Sequence, residues 1–305
     1  MKKLSLSIVI PAYNREGVVE EVIDSLFSQS LDKERYEIIV IDDASTDNTY
    51  KIFKELESKY PIRLFRNNRN KGPAAARNFG VKQAQGSVIL FLDVDIIAVP
   101  KLLEKHYDWH QKHPGKEIAL VGKTSWHADL EVTPFMRWLE RGGPMVDFTG
   151  LEHDMETNFL NFYTGNVSLK KAFFLENGGF DETFSAGGSL AYEDTKLGLR
   201  LQKAGMRLFY SEEALGYHKD FKMLENVCAR RHVYGKAIAK FREKHPEIEN
   251  YFRDDLKYKL TKPLVNRLTM KLLDPLAKYL ETRLYCPPIF WLVCRYYYNQ
   301  GMTNF

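Results

Sequence analysis

Five consecutive apolar residues, Val88-Ile89-Leu90-Phe91-Leu92, run directly into Asp93-Val94-Asp95. An uninterrupted apolar run of this length reads as a strand buried on both faces, the condition of a strand inside a parallel sheet. In open α/β sheets ligands sit in the crevice beyond the carboxyl ends of the strands, and there this Asp-Val-Asp falls. Two carboxylates one residue apart repel each other. A divalent cation, Mg²⁺ or Mn²⁺, would offset them while taking substrate phosphates as further ligands. Asp is also common in strand-ending turns, so the tripeptide alone leaves both readings open.

The chain around it alternates strand and helix. Leu4–Ile10, Tyr36–Ile41 and Ile62–Phe65 read as strands. Arg15–Gln29 carries Val18, Val19, Val22, Ile23, Leu26 and Phe27 at helical spacing. Ser45-Thr46-Asp47 supplies caps for a helix through Lys59, and Pro73–Gln85 reads as a third helix with proline in its first turn. Repeated units of this size predict a parallel, doubly wound sheet. The loops after the strands then share one edge: Pro11-Ala12-Tyr13-Asn14, Asp42-Asp43-Ala44-Ser45, the segment from Asn70 through Arg77, and Asp93 with Asp95. A ring at Tyr13, an acceptor at Asp43 and a cation at Arg77 suit a base, a base N–H and a phosphate. Each also has an ordinary alternative: core cap, helix-entry residue, solvated helix face.

Composition narrows the classes. A chain of 305 residues with 44% hydrophobic and 28% charged residues is an ordinary globular protein. Cys228, Cys286 and Cys294 form neither a metal-ligand spacing nor an even disulfide framework, so a reducing, cytoplasmic setting is expected. Lys2-Lys3 before the run Leu4–Ile10 reads as a strand start rather than a signal peptide. No run approaches the ~20 apolar residues of a membrane-spanning helix. Charge is uneven: from Asp220 onward 16 Lys and Arg face 9 Asp and Glu, a net of +7, whereas the first 219 residues carry −3. A basic tail suits an anionic surface partner or simply a solvated helix face; no nucleic-acid partner is expected.

The motifs Ser7-Ile8-Val9-Ile10-Pro11-Ala12-Tyr13-Asn14, Asp42-Asp43-Ala44-Ser45-Thr46-Asp47, Asn70–Asn78 and Asp93-Val94-Asp95 resemble, in order and spacing, those of the family 2 glycosyltransferases. The resemblance spans about Leu4 to Tyr217. It implies a GT-A nucleotide-diphosphosugar transferase sandwich, an α/β fold with a mostly parallel central sheet. It implies inverting transfer of a sugar from a nucleotide-diphosphate donor, a UDP-sugar first, to a saccharide or lipid-linked acceptor in glycan or glycolipid biosynthesis. By the same resemblance Pro11, Ala12, Tyr13, Asp43, Asn70, Arg77, Asp93 and Val94 hold the nucleotide, and Gly165 and Asn166 line the donor sugar. Asp95, supported by Asp93, holds Mn²⁺ or Mg²⁺, and Asp194 is the base with Glu193 on the acceptor side. His218 stands where many relatives place a metal-reaching histidine; a hydrogen-bonded structural role is the alternative. The family usually has glycine directly before the Glu-Asp pair, whereas Gly187-Gly188 here precedes Ser189-Leu190-Ala191-Tyr192.

The expected organisation is a catalytic domain over 1–220, nucleotide-binding to about residue 98 and acceptor-facing from 99, followed by a basic, aromatic helical extension over 221–305. Trp126 to Phe148 reads as a long loop and helix over the site, as a lid, an acceptor pocket or a structural insertion. Arg207–Tyr210 reads as a short strand, and His245-Pro246 as a helix break. Processive polysaccharide synthases of the family carry Gln-x-x-Arg-Trp, which this chain lacks. The stretch Leu256–Tyr285 with the aromatic run Ile289–Tyr298 suits the inner face of a membrane, a homo-oligomer contact, or packing on its own domain. A nucleotidyltransferase of the same sandwich and a receiver-type phosphoacceptor domain are the rival classes. The first loop lacks the glycine-rich form of the former, and the chain is too long for the latter.

Overall fold

The computed structural model describes residues 5–145, 147–182, 192–244 and 262–303. The expectations that fall on Leu4, Gly187–Ala191, His245-Pro246 and Leu256–Thr261 lie outside these residues. By internal contacts the chain forms two compact units. The first comprises Met1–Leu130, Gly150–Ser189 and Glu193–Asp220, and the second Glu131–Thr149, Leu190–Tyr192 and Phe221–Phe305.

The first unit is built on one mixed sheet. Strands β1 (Leu6–Ala12), β2 (Tyr36–Asp42), β3 (Ile62–Arg66) and β4 (Val88–Leu92) pair in parallel in the order β3-β2-β1-β4. All five residues of β4 are buried, which accounts for its unbroken apolar run. Helices α1 (Val19–Phe27), α2 (Thr49–Lys59) and α3 (Pro73–Gln83) make the crossovers. Residues Ala74, Ala75, Ala76 and Gly80 keep α3 small on its sheet side; a Cβ at Gly80 would strike Val9 and Ile41. That close approach carries Arg77, one turn earlier, to the end of β4.

Beyond β4 the sheet turns partly antiparallel. Strand β5 (Ile96–Ala98) and helix α4 (Leu102–Lys112) lead to β6 (Ile118–Trp126); β7 (Glu156–Thr157), β8 (Asn166–Lys170), helix α6 (Lys171–Glu176), helix α7 (Glu193–Lys203) and β9 (Arg207–His218) follow. The order continues β4-β8-β6-β9-β5, with β8 antiparallel to both β4 and β6. Strand β9 is longer than the expected four residues: it pairs in parallel with β6 through an irregularity between Gly122 and Thr124, then holds β5 antiparallel, with Ile96 opposite His218.

The second unit is helical. It holds α5 (Pro134–Glu140), α8 (Leu224–Lys244), α9 (Arg267–Leu280) and α10 (Pro287–Thr303). Glu131–Thr149, expected with the catalytic domain, groups here instead. Phe135 donates its N–H to the Glu281 carbonyl at 3.1 Å, and the Phe135 and Trp138 rings pack around Phe290. Helices α8 and α10 approach closely because Gly235 abuts the Tyr298 carbonyl and Gly301 the His232 carbonyl, where a Cβ would collide with backbone. Phe290, Val293, Cys294 and Tyr298 are buried. The aromatic run expected to suit a membrane therefore contributes core residues to this unit, consistent with its period on α10. The three cysteines are free thiols.

Candidate active site

The parallel half of the sheet delivers its loops to one edge, where side chains stitch them together. Asn14, at a φ of 51°, donates its N–H to the Ser45 hydroxyl at 3.0 Å and accepts from the Thr46 N–H at 2.8 Å. Glu16 accepts from the Asn48 N–H at 2.8 Å. A cleft of about 290 Å³ opens beside these loops, lined by Asn14, Glu16, Asp47, Asp95, Lys219 and Asp220 among others. Pro11 is half-buried, Ala12 and Val94 are buried, and the Tyr13 ring is exposed at this edge.

Asp43 is buried, and its carboxylate is already a loop clamp. It accepts from Asn67 Nδ2 at 2.7 Å, from the Lys71 N–H at 3.0 Å and from the Gly72 N–H at 2.7 Å. Asn70 accepts from the same Gly72 N–H at 3.1 Å. Asp43 thus shapes the turn into α3. Gly72, at a φ of 85°, occupies the left-handed region that only glycine enters without strain.

Arg77 is the hub of the site. Its guanidinium is buried and lies 2.8 Å from Asp93 Oδ1, 3.7 Å from Glu193 Oε1 and 3.8 Å from Asp194 Oδ1. Burial opposes its charge, but Asp194, Asp93 and Glu193 more than offset this and hold its pKa above the ordinary arginine value. The Asp194 carboxylate accepts the Thr164 N–H at 3.2 Å and the Thr164 hydroxyl at 2.7 Å. Burial nevertheless pushes Asp194 above the usual aspartate range, with Arg77 pulling the other way. Burial and then the neighbouring Asp194 charge push Glu193 up to about 7. Both sit in the first turn of α7, where the helix dipole favours carboxylate. Tyr192, directly before them, has a φ of 88°. Tyrosine here adopts the left-handed backbone that the family's usual glycine takes freely, and its ring packs 4.7 Å from Tyr234 and 5.0 Å from Phe241.

Gly165 touches the same cluster: its carbonyl accepts the Asp93 N–H at 3.2 Å, and a Cβ there would sit 3.1 Å from Asp93 Oδ2. Asn166 follows directly. It is 1% exposed, and its amide N–H groups go to the carbonyls of Lys123 at 3.2 Å and Ala214 at 2.8 Å. Its side chain fixes the start of β8 to its neighbours.

Asp95 and His218 meet because β5 pairs with the end of β9. His218 Nδ1 lies 3.6 Å from Asp95 Oδ1 and has no hydrogen-bond partner among the described residues. That separation exceeds a hydrogen bond. An unpartnered ring nitrogen facing a buried carboxylate fits a shared divalent cation, with oxygen and imidazole donors that Mn²⁺ accepts. Among the described residues no three His, Cys, Asp or Glu side chains converge as a complete metal site, so substrate oxygens would have to finish the shell.

Thr164 and His106 carry no motif signal in the sequence, whereas Ser168 closes the Gly-Asn-x-Ser stretch that begins at Gly165. His106 and Ser168 underpin Asn166. The carbonyls of Lys123 and Ala214 only accept, so Asn166 Nδ2 faces them and Oδ1 faces His106 Nε2 at 2.9 Å, which must carry the proton. His106 Nδ1 therefore accepts from the Ser168 hydroxyl at 2.7 Å, and that oxygen accepts from His110 Nε2 at 2.9 Å. The result is a one-way line, His110 to Ser168 to His106 to Asn166. Burial pushes His106 down to about 4 and His110 well below the ordinary histidine value, so both rings are neutral. Gly122 makes room for the line, since a Cβ would collide with the Asn166 amide and the Ala214 carbonyl.

The chain is 30% identical over 245 residues to a validoxylamine A glucosyltransferase of Streptomyces hygroscopicus subsp. limoneus, covering 69% of this chain and 51% of that protein. It is 33% identical over 144 residues to a dolichol-phosphate mannosyltransferase of Pyrococcus furiosus, covering 47% and 40%. The chain thus spans about half the length of these relatives or less. Its structure resembles residues 1–349 of TarS from S. aureus in complex with UDP, at a TM-score of 0.57, 19% identity and coverage of 98% and 90%. It also resembles the mannosyltransferase PcManGT from Pyrobaculum calidifontis in complex with GDP-Man and Mn²⁺, at a TM-score of 0.58, 17% identity and coverage of 96% and 74%. At these identities the likeness establishes the GT-A fold. The model of glycosyl transferase family 2 matches residues 7–170, more than half of the chain, and the protein belongs to that family.

Proposed function

We propose that this protein is an inverting, metal-dependent, non-processive hexosyltransferase that moves a sugar from a nucleotide-diphosphate donor, a UDP-sugar, to an acceptor hydroxyl in glycan or glycolipid biosynthesis. The observation that carries the reading is the Arg77 cluster. One buried cation draws Asp93, at the tip of β4 beside Gly165, together with Glu193 and Asp194 at the start of α7. Donor-side and acceptor-side carboxylates are thereby held around one point.

In this reading the nucleoside lies at the edge formed by Pro11, Ala12, Tyr13, Asp43 and Asn70, with the Tyr13 ring against the base. Asp95 and His218, with Asp93 in support, would hold Mn²⁺ or Mg²⁺. That ion supplies charge stabilisation for the departing diphosphate when bound. Asp194 takes the proton of the acceptor hydroxyl as its oxygen bonds to the anomeric carbon. The bond from that carbon to the diphosphate oxygen breaks from the opposite face, and its electron pair leaves with the diphosphate. A raised pKa strengthens Asp194 as a base, while Thr164 and Arg77 aim it. The acceptor is a saccharide or a lipid-linked saccharide, and the setting is the cytoplasm, at the inner face of a membrane.

The test is a screen of UDP-sugars with Mn²⁺, measuring UDP released with and without saccharide acceptors, and the anomeric configuration of the product by NMR. Acceptor-dependent UDP release with an inverted anomer is expected. Release of pyrophosphate from a sugar phosphate and UTP, or a product that retains configuration, would overturn the proposal.

A further inference from the structure

We propose that the outward face of α9 seats this protein on an anionic lipid surface. The inference goes beyond sugar transfer, since it concerns a helix of the second unit and stands whether or not the active-site reading does.

Helix α9 buries Met270, Ala277 and Leu280 within its own unit. The large apolar residues on its opposite side are not covered: Leu268 is 75% exposed, Leu272 76%, Leu276 41% and Tyr279 58%. At 100° per residue these four fall within an arc of about 80°. Isolated exposed leucines are ordinary, but a continuous stripe of four on one helix face marks an interaction surface.

Charge selects the partner. Arg267, Lys271 and Lys278 are exposed and fall within an arc of about 40° that borders the apolar stripe. The acidic residues of this segment are turned to the unit's own helices. Asp274 accepts from the Tyr297 hydroxyl at 3.1 Å, and Glu281 accepts the Leu224 N–H at 2.8 Å. Among the described residues, only Lys278 of the three has acidic partners, Asp274 at 3.7 Å and Glu225 at 3.8 Å. The exposed side of α9 therefore presents an apolar stripe with a basic border, the pattern of a helix lying in a membrane interface among anionic headgroups. Its 14 residues cannot cross a bilayer, and no helix among the described residues is long and apolar enough to do so. A second copy meeting this face through its own α9 would cover the leucines but bring two basic borders together.

Flotation of the full-length protein with vesicles tests this. The protein should float with phosphatidylcholine vesicles containing phosphatidylglycerol, bind pure phosphatidylcholine at least about tenfold less, and be released by raised salt. The double variant Leu268→Glu with Leu272→Glu should lose flotation by about tenfold or more, with an unchanged melting temperature and an unchanged thermal shift on adding UDP and Mn²⁺. Arg267→Gln with Lys271→Gln should weaken binding only to the anionic vesicles. Wild-type protein that ignores anionic vesicles at low salt overturns the proposal, as does a leucine variant that floats undiminished. Sedimentation showing a dimer that the leucine variant dissolves would assign the face to self-association and overturn it equally.

Discussion

Arg77 and Asp93 form a 2.8 Å ion pair that ties α3 to the tip of β4. The same guanidinium also faces Glu193 and Asp194, so one side chain neutralises carboxylates from two distant stretches of sequence. Replacing Arg77 with Ala should leave three anions facing one another. Removing one member of a fully buried pair costs 3–5 kcal/mol; because Asp93 keeps partial exposure, about 2 kcal/mol is expected here. The check is chemical denaturation of Arg77→Ala beside wild type, with a stability change under about 0.5 kcal/mol counting against the hub role.

Asp194→Asn keeps the shape of the side chain and its contacts to Thr164 but removes the basic oxygen. Turnover should fall by roughly 10²–10⁴ while donor affinity stays near wild type. Single-turnover kinetics beside UDP titration separates the two effects. Collapse of donor affinity with preserved turnover would make Asp194 a binding residue and send the search for a base to Glu193.

Glu193 gives a pH signature. Its pKa rises from 4.5 in the unfolded chain to about 7 in the folded one, so the native state binds the extra proton between those values. Stability is then fully favoured below about 4.5 and declines as pH rises toward 7, because the unfolded state holds fewer protons there. Glu193→Gln cannot ionise. The stability difference should move in favour of the variant across that interval, by about 1–3 kcal/mol, and level off above it. Melting curves from pH 4 to 8 measure it; a flat difference would place the titration elsewhere.

Asp95→Ala should abolish the Mn²⁺-induced gain in UDP affinity, while His218→Ala should weaken it less, since one carboxylate and substrate oxygens would remain. Titration of UDP by calorimetry, with and without Mn²⁺, reads both directly. Equal metal enhancement in all three proteins would remove the cation from this pair.

His106→Leu should strip Asn166 of its N–H donor and cost about 1–3 kcal/mol for the buried acceptor left behind. His106→Gln, which can present an N–H to Asn166, should recover part of that loss. If the loop position of Gly165 depends on this line, donor KM will rise in the Leu variant more than kcat falls, and the Gln variant will restore it. Matching losses in both variants would reduce His106 to core packing.

Much of the first unit was legible in the chain because its signals are local. The run Val88–Leu92, the proline opening α3 and the acidic residues at the ends of β2 and β4 announce themselves within a few residues. The rest depends on partners far away in sequence. Arg207–Tyr210 looks like a short strand because nothing nearby reveals that it continues to His218 beside β6 and β5. Asn166 sits in a motif that lines the donor in the resembled family, but nothing in that motif announces its hydrogen bond to His106, sixty residues earlier on α4. His106 itself reads as one more residue on an amphipathic helix. Likewise, Ile289–Tyr298 looks suited to lipid because a buried helix and an interfacial helix share composition. Packing against α8 decides between them, and periodicity alone does not.

The one-way line from His110 to Asn166 also constrains how this chain can drift over generations. Each member has a single permitted role, set at the far end by two carbonyls that cannot donate. A change at position 106 therefore alters what position 168 must offer, and a side chain larger than hydrogen at position 122 displaces the amide that anchors the whole line. In a collection of related sequences, positions 106, 110, 122, 166 and 168 should consequently change as a group. A lineage that loses the histidine at 106 should have altered the serine or the asparagine as well.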